Sequence, residues 1–135
     1  MTADGLRVVD TNIVIRLIVR DDANQLVAIE ALLENSVFVP LTVLLETVWV
    51  LSSRYRLGRQ DIAEALLQVF DLPSVRVEAP DLVPWAIARF RAGADFNDLI
   101  HLIAARNGEA FLTFDRDVAR RVEDGAPLPI VTLST

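Results

Sequence analysis

The chain has 135 residues, enough for one domain with a buried core, and its 53% hydrophobic content leaves apolar surface over for a partner. Its 19 acidic against 13 basic residues give a net charge of −6, which argues against passive binding to a polyanion. Zero cysteines exclude disulfides, thiolate catalysis and thiolate zinc sites, and because all 13 basic residues are arginine, lysine-dependent chemistry is excluded too.

Leu6-Arg7-Val8-Val9 reads as a short first strand ending on Asp10. Thr11 to Arg20 follows as an apolar-periodic helix, and Asp21-Asp22 caps a second helix that runs through Glu34. Val37-Phe38-Val39 is a second strand, stopped by Pro40. Leu41 to Arg54 is a very apolar helix containing Glu46. After Gly58, Arg59 to Phe70 is a helix with Ile62, Leu66, Leu67, Val69 and Phe70 on one face.

Leu72-Pro73-Ser74 breaks the pattern, Val75-Arg76-Val77 reads as a third strand, and Asp81 to Arg91 as a helix in which Pro84 is tolerable only near the start. Gly93 closes that helix, and Asp95 caps another that runs to Asn107 and Gly108. Phe111-Leu112-Thr113-Phe114 is a fourth strand ending on Asp115. A short helix to about Glu123 and a fifth strand, Ile130-Val131-Thr132-Leu133, complete the chain. Short apolar strands separated by helices, without hairpin signals, call for parallel pairing, and the expected fold is a single α/β domain built as a three-layer α/β/α sandwich.

No run approaches the roughly 18 to 20 apolar residues of a membrane helix, since Arg16 and Glu46 interrupt the two candidates. Met1-Thr2-Ala3-Asp4-Gly5 lacks the basic flank of a signal peptide. A cytoplasmic protein with no membrane segment is expected.

Four carboxylates stand out. Asp10 and Asp115 each follow directly on a strand, and each reads equally as a helix N-cap or, if the two strands are neighbours, as half of a pair at one sheet edge. Glu46 has Thr42, Val43, Trp49 and Val50 at helical spacing, a mostly apolar face that leaves either a costly unpaired carboxylate or a narrow solvent strip of Thr42, Glu46 and Ser53. Asp98 lies three residues after Asp95, where a capping box wants the longer Glu or Gln, so capping belongs to Asp95 and function to Asp98. Four such carboxylates could not share one cleft uncompensated, since like charges a few ångströms apart force protonation or a counter-cation. Oxygen ligands, no cysteine and a single histidine select a hard ion, Mg²⁺ or Mn²⁺, whose bound water is a nucleophile for phosphoryl transfer. His101 reads as a semi-buried structural residue, Trp49 and Trp85 as core rather than as platforms for stacking bases, and Arg54, Arg56 and Arg59 as a solvated loop with some potential for phosphate contact.

The succession Asp10-Thr11-Asn12, Val43 to Leu51 around Glu46, Asp95-Phe96-Asn97-Asp98, and Leu112-Thr113-Phe114-Asp115 resembles the PIN-domain ribonucleases, and most of all the VapC-type toxins of bacterial toxin-antitoxin pairs. That resemblance implies a parallel sheet of order 3-2-1-4-5 and metal-dependent endoribonuclease activity. By matching position it makes Asp10, Glu46 and Asp98 the core metal-binding acids and Asp115 the fourth, with Asp117 a second candidate for that place. Thr11, Asn12 and Thr113 become second groups that orient the acids or position substrate. A homodimer and a VapB-type antitoxin partner are implied with them.

Rival readings remain. An aspartyl-phosphate phosphotransferase would use a strand-end aspartate such as Asp10, but Asn12 stands where its second aspartate belongs and lysine is missing. A non-toxin PIN nuclease would carry the same site, and a PIN-like interaction module would be free to lose acids that are all present here.

Overall fold

A computed structural model describes residues 7–20, 22–122 and 125–134, so Leu6 of the expected first strand, Asp21 of the expected cap and Glu123 at the expected end of the last helix lie outside the described residues. The chain divides into two compact units, Met1–Pro80 and Asp81–Thr135.

The first unit runs β1 (Arg7–Val8), α1 (Thr11–Ile18), α2 (Ala23–Leu32), β2 (Val37–Val39), α3 (Leu41–Ser53), α4 (Arg59–Phe70) and β3 (Val75–Val77). Its strands are all parallel with β2 in the middle, pairing Val8 with Phe38 and Phe38 with Arg76. Strand alternation therefore puts Val37, Val39, Val75 and Val77 on a buried face and Arg76 outward. Helix α1 packs against α2, α3 and α4, and α4 against β3. Val14, Leu44, Leu51 and Leu66, none with measurable exposure, form the centre of this core. Truncating one of the three leucines to alanine costs about 2–5 kcal/mol.

Helix ends in this unit follow local chemistry. Asp22 caps α2 by accepting from the N–H groups of Asn24 and Gln25. Helix α1 stops at Ile18, two residues before the expected end, because Val19 turns extended and Arg20 Nε donates to the carbonyl of Leu17. Pro40 provides no side-chain cap for α3, and Glu78 Oε1 instead accepts from Leu41 N at 2.9 Å. Ala79, immediately after, sits at φ +50°, a left-handed conformation that costs a residue with a Cβ.

Two apolar assignments are corrected. On α4 the buried face is Ile62, Ala63, Leu66 and Val69, whereas Leu67 is exposed, because its direction lies away from α1, α3 and β3. On α3 the buried residues are Leu41, Leu44, Thr47, Val48 and Leu51, and Trp49 is 60% exposed rather than core. Thr47 tolerates complete burial because its hydroxyl donates to the carbonyl of Val43, which leaves no polar group unpaired.

The second unit runs α5 (Val83–Arg91), α6 (Phe96–Ala104), β4 (Phe111–Thr113), α7 (Arg116–Val122) and β5 (Ile130–Thr132). Pro84 occupies the first turn of α5, where its missing N–H leaves no bond unmade. Between α5 and α6, Gly93 at φ +120° lets its own N–H reach Phe90 O and that of Ala94 reach Arg89 O, the two bonds of a Schellman stop. The two helices then pack with Phe90 and Phe96 edge to face, ring centres 5.4 Å apart. Helix α6 ends at Ala104 instead of Asn107, since the N–H of Arg106 closes onto Ile103 three residues back and its guanidinium takes the same carbonyl.

Strands β4 and β5 are parallel, with Leu112 opposite Val131, both exposed. All five expected strands are thus present and all pairings are parallel, the class expected of a three-layer α/β/α domain. Their hydrogen-bonded orders among the described residues are 3-2-1 in the first unit and 4-5 in the second.

Candidate active site

In the first unit the strand-to-helix turn is built around Asp10. Val9 N still donates to Phe38 O, so the chain stays alongside β2 until Asp10, whose extended backbone starts α1. Asp10 Oδ1 accepts from Ile13 N at 3.2 Å, leaving Oδ2 outside that bond. The N-cap reading of Asp10 is therefore correct, and it is compatible with ligand binding, because the cap uses one oxygen of an exposed carboxylate at the positive end of a helix.

The next residue links Asp10 to Glu46. Thr11 is buried, and its hydroxyl donates to Glu46 Oε1 across the α1–α3 contact. Glu46 itself is exposed, so the solvent-strip alternative describes α3 correctly. Thr42 and Ser53 are exposed with it, as is Trp49. Asn12 is exposed in the first turn of α1.

In the second unit Asp95 caps α6 through its Oδ1, which accepts from Asn97 N at 2.8 Å. Asp98, half-buried in the first turn, holds its proton more tightly than an ordinary carboxyl. Burial is the first cause, the charges of Asp95 and Asp115 add to it, and His101 opposes them. Asp98 and Asp115 are thus close enough for their charges to interact. His101, expected to be semi-buried, is exposed and acts on Asp98 as a nearby positive charge.

Asp115 is exposed at the end of β4 and held by its neighbours. Its N–H donates to Thr113 Oγ1 at 3.0 Å, and its Oδ1 accepts from Asp117 N at 2.8 Å. Asp117 is bound differently, in an exposed salt bridge to Arg120 one turn along α7.

Two groupings result: Asp10, Thr11 and Glu46 in one unit, and Asp95, Asp98 and Asp115 in the other. Among the described residues no three acidic or histidine side chains stand close enough to hold a metal ion together. The donor chemistry nonetheless fits a hard divalent cation. Every donor is an oxygen, and Asp98, whose proton is held by burial first and by the charges of Asp95 and Asp115 second, is a carboxylate that nearby positive charge would favour in its ionised form.

Two features were not anticipated from the residues. A groove of about 370 Å³ lies between α1 and α4, lined by Leu17, Ile18, Arg20, Val69 and Leu72 among others. The other is the partner of Thr11: the resemblance made Thr11 a group that orients the acids or positions substrate, and its hydroxyl bonds to Glu46 on α3, 35 residues along the chain. No helix among the described residues is long and apolar enough to cross a membrane. The family model described as PIN domain matches residues 7–124, a span that includes all the acids above. No curated protein and no solved structure is a match.

Proposed function

The chain belongs to the PIN-domain family, and from that premise we propose that it is a metal-dependent endoribonuclease acting in the cytoplasm as the toxin of a toxin-antitoxin pair. Proteins of this family are typically nucleases and generally use divalent metal ions. The observation that carries the proposal is the bond from Thr11 to Glu46: it fixes a helix-borne carboxylate next to the strand end where Asp10 stands.

Asp10, Glu46, Asp98 and Asp115 are the residues that would hold Mg²⁺, with Mn²⁺ as a substitute. When bound, such an ion supplies a polarised water and balances the charge developing on a phosphodiester. The protein's own contribution is orientation. Thr11 fixes the carboxylate plane of Glu46, Ile13 N pins one oxygen of Asp10, and Thr113 shapes the turn that presents Asp115. Asn12, exposed beside Asp10, is a group for positioning the substrate. Asp115 is favoured over Asp117 as the fourth acid, because Asp98 responds to its charge while Asp117 is neutralised by Arg120.

The 53% apolar composition and the groove between α1 and α4 support a VapB-type antitoxin that lays an apolar segment on these helices. Exposed Val27 and Leu67 support a homodimer in the same way. The test uses purified protein freed of any partner. It should cut RNA with Mg²⁺ or Mn²⁺, lose that activity with a chelator or as Asp10→Asn, and be silenced by saturation with the antitoxin. Absence of cleavage, or Asp10→Asn cutting as fast as wild type, would falsify the nuclease assignment. Unchanged activity in the saturated complex would remove the antitoxin from it.

A further inference from the structure

Thr42, Glu46, Trp49 and Ser53 follow one another at spacings of four, three and four residues, which places them on one stripe of α3, and all four are exposed. Trp49 is the odd member. Its indole is 60% exposed on the first unit, whereas the opposite side of the same helix buries Leu44 and Leu51 completely. The indole is a large flat apolar surface in water, and one turn along the helix lies the carboxylate proposed to face the reacting phosphate.

The rise from Glu46 to Trp49 is about 4.5 Å along the helix axis, less than the span of one nucleotide, so a strand whose phosphate sits at Glu46 has a neighbouring base within reach of the ring. Beyond Trp49 the stripe ends among exposed cationic side chains, Arg54 at the carboxyl cap of α3 and Arg56 in the turn that follows. The net charge of −6 makes general electrostatic attraction to RNA weak, so contacts of another kind must supply affinity, and stacking on an aromatic face does so for any base.

We infer that Trp49 is the platform on which the base adjacent to the scissile phosphate stacks, so that the enzyme takes an unpaired stretch of RNA with Arg54 and Arg56 along its onward backbone. This rests on the nuclease reading given above. Duplex RNA is a poor substrate for the same reason, because its bases have no face to offer.

The experiment uses the full chain, a short single-stranded RNA with one defined cut, and copies of it with one base removed at successive positions. Trp49→Ala should raise KM roughly tenfold or more with little change in kcat, and Trp49→Phe should restore most of the loss. Base removal at one offset from the cut should cost the wild type as much as Trp49→Ala does, and should cost Trp49→Ala nothing further. RNA added in chelator should quench tryptophan fluorescence in the wild type and not in Trp49→Phe, which retains Trp85. If RNA is cut but KM ignores Trp49, or if every base removal adds to Trp49→Ala, the platform is wrong and the nuclease stands. If Trp49→Ala loses activity only because it dissociates a dimer in sedimentation, Trp49 belongs to an interface with a second copy and the platform is wrong. A wild type that shows the quench but never cuts RNA defeats the nuclease reading alone.

Discussion

Glu46 and Asp98 are both helix-borne carboxylates, yet the two units hold them in opposite ways. Glu46 receives a hydroxyl donor from a buried threonine, and beside it Asp10 receives a backbone N–H, so the first unit orients its acids with bonds of its own. Asp98 is half-buried among like charges from Asp95 and Asp115, with only His101 opposing. The difference is one of kind: the first unit orients its acids with bonds of the fold itself, whereas in the second Asp98 holds its proton more tightly through burial first and through the charges of Asp95 and Asp115 second.

Substitution should therefore move activity together in the two halves and stability in different directions. The largest effect is expected for Asp98→Asn: cleavage falls by more than about 100-fold, past the usual cost of an outer-shell partner, while the thermal midpoint stays level or rises. A clear drop in the midpoint would break the comparison. Next comes Thr11→Val, which frees Glu46 and lowers cleavage about 10–100-fold at a given Mg²⁺ concentration, with Thr11→Ser close to wild type. A Thr11→Val enzyme with an unchanged Mg²⁺ titration would mean that Glu46 needs no orienting.

The pH dependence of stability sharpens the same contrast. The folded protein keeps a proton on Asp98 at pH values where the unfolded chain has lost it, so Asp98 makes unfolding release a proton between the ordinary value of 3.8 and the raised folded one. Its contribution therefore lowers stability as pH rises through that window, and Asp98→Asn should remove that component from denaturant midpoints measured across it. The smallest effect is expected at the start of α7. Asp117→Ala loses an exposed ion pair worth about 0–1 kcal/mol and leaves cleavage within roughly twofold of wild type, whereas Asp115→Ala cuts slowly. Equal losses from the two would return Asp117 to candidacy.

The element order was legible because its punctuation is chemically explicit. Pro40, Gly58, Gly93 and the caps Asp22 and Asp95 stand where elements start or stop, and the strand cores at 37–39 and 75–77 coincide with their expected limits. The acids were legible too, as residues too polar for their surroundings. What periodicity could not decide was the orientation of α3, since Leu41-Thr42-Val43-Leu44-Leu45-Glu46-Thr47-Val48-Trp49-Val50-Leu51 is apolar nearly all the way round. Packing resolved it against residue type, burying Thr47 and exposing Trp49, because a threonine can satisfy its hydroxyl inside its own helix. Leu67 escaped prediction for a related reason: α4 has more apolar residues than buried positions.

Glu78 gives the helix that carries Glu46 a particular history. The first N–H of that helix is capped by a residue 37 positions further along the chain, delivered by the end of β3 and the left-handed turn at Ala79. Until β3 has joined β2, α3 lacks this anchor, and closing so long a loop is entropically slow compared with forming the helix itself. The bond is accordingly expected to form late in folding, so that Glu78→Ala should speed unfolding more than it slows refolding when both are measured by denaturant jump.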